Sequence, residues 1–242
     1  MMRALWAEWG KTWSVRAPLL CLLGTVTLAV ITAAALANDF VRGIGAGEFP
    51  SDAVMTAASA VGPAAQFGLL IFIGFAMMLI TPEYATGSIQ PTFQAEPRRG
   101  VVLAGKAIIG LVAGALSGAA VGVMALTASD FALQEHAAAA SENPAVTVLR
   151  VSGLFAVAAV LVVALGAIVR SSAGTLACGA VLLVGTLALP PELSIWTPGG
   201  GAGEFIEARS DYYPSILGLA VLTAWAATAY LAAVWLLRRR DA

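Results

Sequence analysis

Six apolar runs, about 17–37, 63–80, 101–127, 147–169, 173–189 and 215–237, limit this chain more than any other feature, and none carries Asp, Glu, Lys or Arg near its middle. Runs of about 17–25 apolar residues cross the hydrocarbon of a bilayer as helices, because lipid offers the backbone no hydrogen-bonding partner. The composition agrees, with 60% hydrophobic and 11% charged residues and a mean hydropathy of +0.88, outside the soluble range. The pattern predicts an all-α polytopic membrane protein of six transmembrane helices, one transmembrane domain over 1–242. The first run follows Arg and Lys and ends in Ala35-Leu36-Ala37, as a secretory signal does. At about 20 residues it exceeds the usual apolar region of a signal peptide, and it is read as an uncleaved span.

Orientation follows from the basic residues. Arg3, Lys11, Arg16, Arg98, Arg99, Lys106, Arg170 and Arg238 to Arg240 fall on one side of the runs, and Arg42, Arg150 and Arg209 on the other. Lys and Arg are retained in the cytoplasm, so both termini and the loop 81–100 are expected inside a cytoplasmic membrane, multi-pass. The segment 1–16 places Trp6, Trp9 and Trp13 on one helical arc and Arg3, Glu8 and Lys11 away from it, the pattern of an interfacial amphipathic helix. Trp6, Trp9, Trp13, Arg98, Arg99 and Lys106 are the expected interfacial anchors, Lys106 by snorkelling from the start of its span.

The chain lacks the parts that several functions need. Proton relays and most ion-coupled carriers require ionisable groups within the membrane, so energy for uphill transport is expected from a partner. Gly100 to Lys106 matches the spacing G-x-x-x-x-G-K, but Ala107 replaces the hydroxyl residue and the segment enters a span rather than a strand-loop-helix unit. His136 has no Cys or His nearby for a metal site, and no nucleophile sits with a base. Cys21 and Cys178 lie in apolar runs and read as small hydrophobes. Gln66, Thr25, Thr186 and Thr223 are single polar groups in spans, suited to interhelical hydrogen bonds. Gly110, Gly114, Gly118 and Gly122 repeat every fourth residue in the third run, where glycine lets a second helix approach backbone to backbone. The loop 190–214 holds Pro190-Pro191, Gly199-Gly200-Gly201 and Gly203, which argue against one continuous helix and for two short interfacial or re-entrant pieces.

The loop 81–100, TPEYATGSIQPTFQAEPRRG, mixes Tyr84, Ile89 and Phe93 with polar residues, as a docking surface does. Thr81 suits a helix cap, Pro82 a first position and Glu83 the positive end of the helix dipole. A helix is expected from Pro82 to Gln90, ended by Pro91.

Together, the amphipathic N-terminal helix, the six spans, this loop running into VVLAGKA, the Pro/Gly-broken loop and the ending LLRRRDA resemble the permease subunit of ABC-2 type transporters. The resemblance covers the whole chain and is nearest the compact permeases of high-GC actinobacteria, with EYATGSIQPTF followed by PRR its most specific part. It implies a type V exporter-like architecture in which two permease chains, as a homodimer or a related heterodimer, assemble with two separate ATPase subunits. ATP and Mg would be held by that ATPase; this chain would bind no cofactor, metal or nucleic acid and catalyse nothing itself. By position, Glu83, Tyr84, Gly87, Ser88, Gln90 and Phe93 would form the coupling helix on the ATPase, the Trp-rich helix would lie beside it, and 191–214 would hold short re-entrant outer helices. The implied function is efflux of a drug, antibiotic or lipid, with resistance as one outcome. The Phe- and Met-rich second run favours a hydrophobic or amphipathic small molecule, with Gln66, Phe67, Phe72 and Phe75 as candidate pathway lining. The alternative is a non-transporting membrane scaffold or sensor component whose loop binds a soluble regulator.

Overall fold

The computed structural model describes residues 9–12, 14–95, 98–140, 142–207 and 212–239. Among these residues every regular element is helical: α1 (Arg16–Gly45), α2 (Ala57–Met78), α3 (Thr81–Ala85), α4 (Ile89–Ala95), α5 (Arg99–Leu133), α6 (Pro144–Val169), α7 (Ser172–Leu183), α8 (Pro191–Ser194), α9 (Pro198–Ile206) and α10 (Ser215–Arg239), with 3-10 turns at Gln134–His136 and Gly185–Ala188. Five of them, α1, α2, α5, α6 and α10, are long and apolar enough to cross a membrane.

The long helices outrun the apolar runs that predict them. α1 continues through Asn38, Asp39 and Arg42 to Gly45, because a helix leaving the hydrocarbon keeps its internal hydrogen bonds and its polar residues simply face outward. Arg42 pairs with Asp39 one turn back at 3.9 Å, and Phe40 stacks on Phe49 at 5.2 Å as the chain turns. α2 starts at Ala57 rather than Pro63, so the proline lies inside the helix. α5 continues beyond Thr127 to Leu133 and stops where Gln134 takes a φ of 50°. The turns at that end are tied together, since Met55 N–H donates to His136 O at 3.1 Å and Ala138 N–H donates to Met55 O at 3.0 Å.

The expected fifth span differs most. Instead of one helix over 173–189, α7 stops after 12 residues at Leu183 and the 3-10 turn Gly185–Ala188 follows. The glycine triplet does not break the next segment either. Gly199, Gly200 and Gly201 lie buried inside α9, which Pro198 opens and Thr197 caps by accepting from Gly200 N–H at 3.1 Å. A Cβ on Gly200 would run into Ser194 O of α8, so glycine there serves close approach rather than flexibility. Tyr213 Oη donates to Ile195 O at 2.7 Å and Trp225 Nε1 to Trp196 O at 3.0 Å, pinning the α8–α9 connection both to the segment before α10 and to a point well inside it.

The centre of the bundle is α6 with α2, where Phe72, Phe75, Phe155, Leu154, Leu161 and Ile73 are fully buried. Phe72 meets Phe155 at 4.9 Å and Phe75 at 5.5 Å between ring centroids. α5 closes on α6 along Gly110, Gly114, Gly118 and Gly122. A Cβ on Gly114 would lie 2.5 Å from Phe155 O, one on Gly118 2.6 Å from Val151 O, and one on Gly122 3.0 Å from Val148 Cα. At Gly110 it would meet Leu79 and Ala159 at 3.2 and 3.3 Å. The two backbones are thus in contact from Gly114 to Gly122, about two turns. Ser152 adds a hydrogen bond across this seam to Ala115 O at 2.8 Å.

Candidate functional site

Local sequence shapes the short cap between α2 and α5. Leu79 and Ile80 are buried and end α2 against the core. Thr81 does not cap α3. It is the helix's first residue, its Oγ1 donates back to Met77 O at 3.1 Å, and the preceding Ile80 occupies the cap position. Glu83 lies in the first turn, where its charge meets the positive helix end. The expected single helix Pro82–Gln90 is instead two. Gly87, at a φ of 72°, turns the chain between α3 and α4, Thr86 and Ser88 hydroxyls bond at 2.9 Å across that turn, and Pro91 falls in the first turn of α4 rather than ending a helix. Proline is tolerated there because the first N–H groups of a helix have no internal acceptor.

Within the cap, Thr81, Glu83, Tyr84 and Ile89 face the bundle. Glu83 Oε1 accepts from Lys106 Nζ at 2.8 Å and lies 3.5 Å from Lys11 Nζ, so it joins α5 and the N-terminal segment. Lys106 therefore is not a lipid-facing anchor: its side chain is 2% exposed and it also donates to Leu79 O at 3.0 Å. Glu83 Oε1 and Leu79 O at the end of α2 accept from it inside the bundle. Glu83, at 15% exposure, is likewise more enclosed than a surface turn implies, and its Oε2 is buried with no hydrogen-bond partner.

Tyr84 packs under Arg170, whose guanidinium carbon lies 5.2 Å from the ring centroid. Arg170 takes the left-handed conformation that ends α6, and Ser171 caps α7. Burial pushes the Tyr84 phenol above its ordinary range; Arg170 pulls the other way, and neighbouring Glu83 adds to the rise. Ser172 Oγ donates to Thr81 Oγ1 at 2.9 Å, a second tie from the α6–α7 turn to α3. Ile89 is buried at 4% exposure and fixes the start of α4 to the core. Gly87, Ser88 and Gln90 form the exposed outer rim. The side chain of Phe93 lies outside the described residues, as do Trp6 and Trp13, whereas Trp9 is half-buried against the core.

Sequence reasoning thus missed four partners of the cap: Lys11, Lys106, Arg170 and Ser172. The signal was present in part, since Lys11 and Arg170 stand on the same side as Glu83 in the basic-residue count, but which of several basic residues meets one carboxylate depends on helix rotation. The four candidate pathway residues do not come together. Phe72 and Phe75 fill the core, Phe67 is 52% exposed on another face, and Gln66 approaches Gly203 of α9. Among the described residues no cluster of His, Cys, Asp and Glu is suited to a metal. No family model, curated protein or solved structure matches this chain.

Proposed function

We propose that this chain is the membrane subunit of an ATP-driven exporter of the ABC-2 type, moving a hydrophobic or amphipathic small molecule out across the cytoplasmic membrane. A separate ATPase, two copies per complex, holds ATP and Mg, and a second permease chain completes the pathway. The observation that carries this reading is the division of the cap. Gly87, Ser88 and Gln90 present an outer rim for a soluble partner, while Glu83, Tyr84 and Thr81 tie the adjoining α3 to α5 and to the α6–α7 turn. A push on such a rim reaches three helices without passing through a flexible linker.

Six crossings also suit the geometry. Arg99 donates from Nη1 to Leu237 O at 3.0 Å, so the start of α5 and the end of α10 lie at one end of the bundle. The chain between them must then cross an even number of times, and α5, α6 and α10 supply three. The remaining passage is α7 with its 3-10 turn. Twelve α-helical residues and four 3-10 residues give about 26 Å, near the hydrocarbon thickness of about 30 Å. In this reading α8 and α9 form a re-entrant outer hairpin.

The test is co-expression with the ATPase of an adjacent reading frame, reading complex formation, compound-stimulated ATP hydrolysis and export from reconstituted vesicles. Ser88→Arg and Gln90→Arg, both on exposed positions, are expected to abolish the complex while leaving thermal stability unchanged. If both variants retain the complex, hydrolysis and export, the cap is not the coupling element. A stable complex that never exports would favour the scaffold reading.

A further inference from the structure

One groove in the bundle has no charged residue in its lining. It encloses about 380 Å³ among α5, α6 and α10. Its cause is residue size, since Ala104 and Ala107 on α5 and Ala226 and Ala227 on α10 are too small to meet across the space. Among the described residues along it, only Thr223 and Tyr230 are polar, and both belong to α10. Spaced seven residues apart, they share one face of the helix, about 10 Å from each other along its axis.

Neither hydroxyl is hydrogen-bonded to the described residues. A threonine within a helix commonly returns its hydroxyl to the carbonyl four residues back. Thr228 of the same helix does so to Ala224 O at 2.8 Å, as do Thr25 to Cys21 O at 2.8 Å and Thr186 to Leu182 O at 2.9 Å. Thr223, suited by its place in a span to an interhelical hydrogen bond, makes neither kind. Both residues lie deep in α10: Thr223 is about 12 Å of helix from Ser215, and Tyr230 about 14 Å from Arg239. Hydrocarbon at that depth offers a hydroxyl no partner, and leaving the bond unmade costs free energy.

We infer that this groove binds a neutral, elongated hydrophobic molecule of steroid size with a hydrogen-bond-accepting oxygen near each end, one accepting from Thr223 and the other from Tyr230. The volume falls in the range of small-molecule sites, about 300–1,000 Å³. The uncharged lining selects against an ionic ligand, whose charge would lose its water without gaining a counter-charge. A phospholipid fits poorly, because its ester and phosphate oxygens stay at the interface and an acyl chain accepts nothing from either hydroxyl. The inference rests on the membrane reading, and its test uses no ATPase. Its failure would leave the exporter proposal standing, and failure of that proposal would leave this site standing.

The experiment is equilibrium binding of tritiated progesterone, a neutral steroid with a carbonyl near each end, to the full chain in phosphatidylcholine nanodiscs. Competitors are 5α-pregnane, the same skeleton without oxygen, and the tetraphenylphosphonium cation. Saturable binding is expected, with pregnane competing about tenfold to a hundredfold more weakly than unlabelled progesterone, as two lost hydrogen bonds imply, and the cation not competing. Thr223→Val and Tyr230→Phe should each weaken progesterone by about 3- to 10-fold and leave pregnane unchanged, and Thr223→Ser should bind as the unmodified chain does. Ala227→Phe, at an exposed position, fills the groove and should abolish binding without lowering the melting temperature of the ligand-free protein. Absence of saturable binding, pregnane or the cation competing as well as progesterone, or full affinity in both Thr223→Val and Tyr230→Phe would each overturn the proposal. Binding in detergent that disappears in the nanodiscs would give the groove to bilayer lipid instead.

Discussion

Glu83 Oε1 and Lys106 Nζ lie 2.8 Å apart although 23 residues separate them, and the pair holds the short cap α3 against the start of α5. Removing one partner of a buried pair costs more than removing both, because the survivor stays desolvated without a counter-charge. Glu83→Ala takes the carboxylate from a buried lysine that also donates to Leu79 O, and a loss of about 3–5 kcal/mol is expected. Lys106→Met leaves Glu83 beside Lys11, and the expected loss is smaller, about 1–3 kcal/mol. The double variant should recover part of the Glu83→Ala loss. Melting curves of the four proteins in detergent complete the cycle, and additive losses would mean that the two side chains do not interact in solution. The enclosure of Lys106 also means that its replacement loosens the cap.

The seam between α5 and α6 makes a sharper test of packing. Gly114→Ala places a methyl carbon 2.5 Å from Phe155 O and Gly118→Ala places one 2.6 Å from Val151 O. Each should destabilise the extracted protein by about 1–3 kcal/mol, the range for overpacking. Gly153→Ala on α6 meets nothing nearer than 3.6 Å and should be neutral or gain about 0.5–1 kcal/mol from the better helix former. If all three behave alike in thermal melts, backbone contact along the seam is absent.

Alkaline pH should act on the cap through Tyr84. Its folded phenol holds the proton more tightly than the unfolded one, so the contribution is fully present below about pH 10 and is lost as pH rises through the folded value. Tyr84→Phe has no phenol to ionise, and its stability should decline less between about pH 10 and 12 than that of the unmodified chain. Denaturation midpoints across that range check it, and parallel curves would place Tyr84 in water.

Orientation is open to cysteine labelling. In a background with Cys21 and Cys178 replaced, cysteines at the exposed positions 48, 135 and 192 are expected to react with an impermeant reagent added to intact cells, and those at 88 and 238 only after permeabilisation. Reaction at 88 from outside would reverse the orientation and remove the cap from the reach of any cytoplasmic ATPase.

The sequence by itself determined that the chain is helical and apolar enough for a membrane, because hydrocarbon-compatible runs and backbone hydrogen bonding leave no alternative. It also located the small-residue ladder at Gly110 to Gly122 and a structured polar cap after the second run, since both are written in local spacing. Helix ends were legible only in part. Apolarity measures the hydrocarbon, whereas helices such as α1 and α5 stop where caps and positive-φ residues stop them. The tertiary structure alone decided that Lys106 turns inward to Glu83, that Arg170 and Lys11 reach the cap, and that α7 ends short, with Gly199 of α9 packed on that end and Gly201 on α10. Those outcomes depend on the rotation of each helix about its axis and on which neighbour lies nearest, and neither is encoded in the spacing along any one segment.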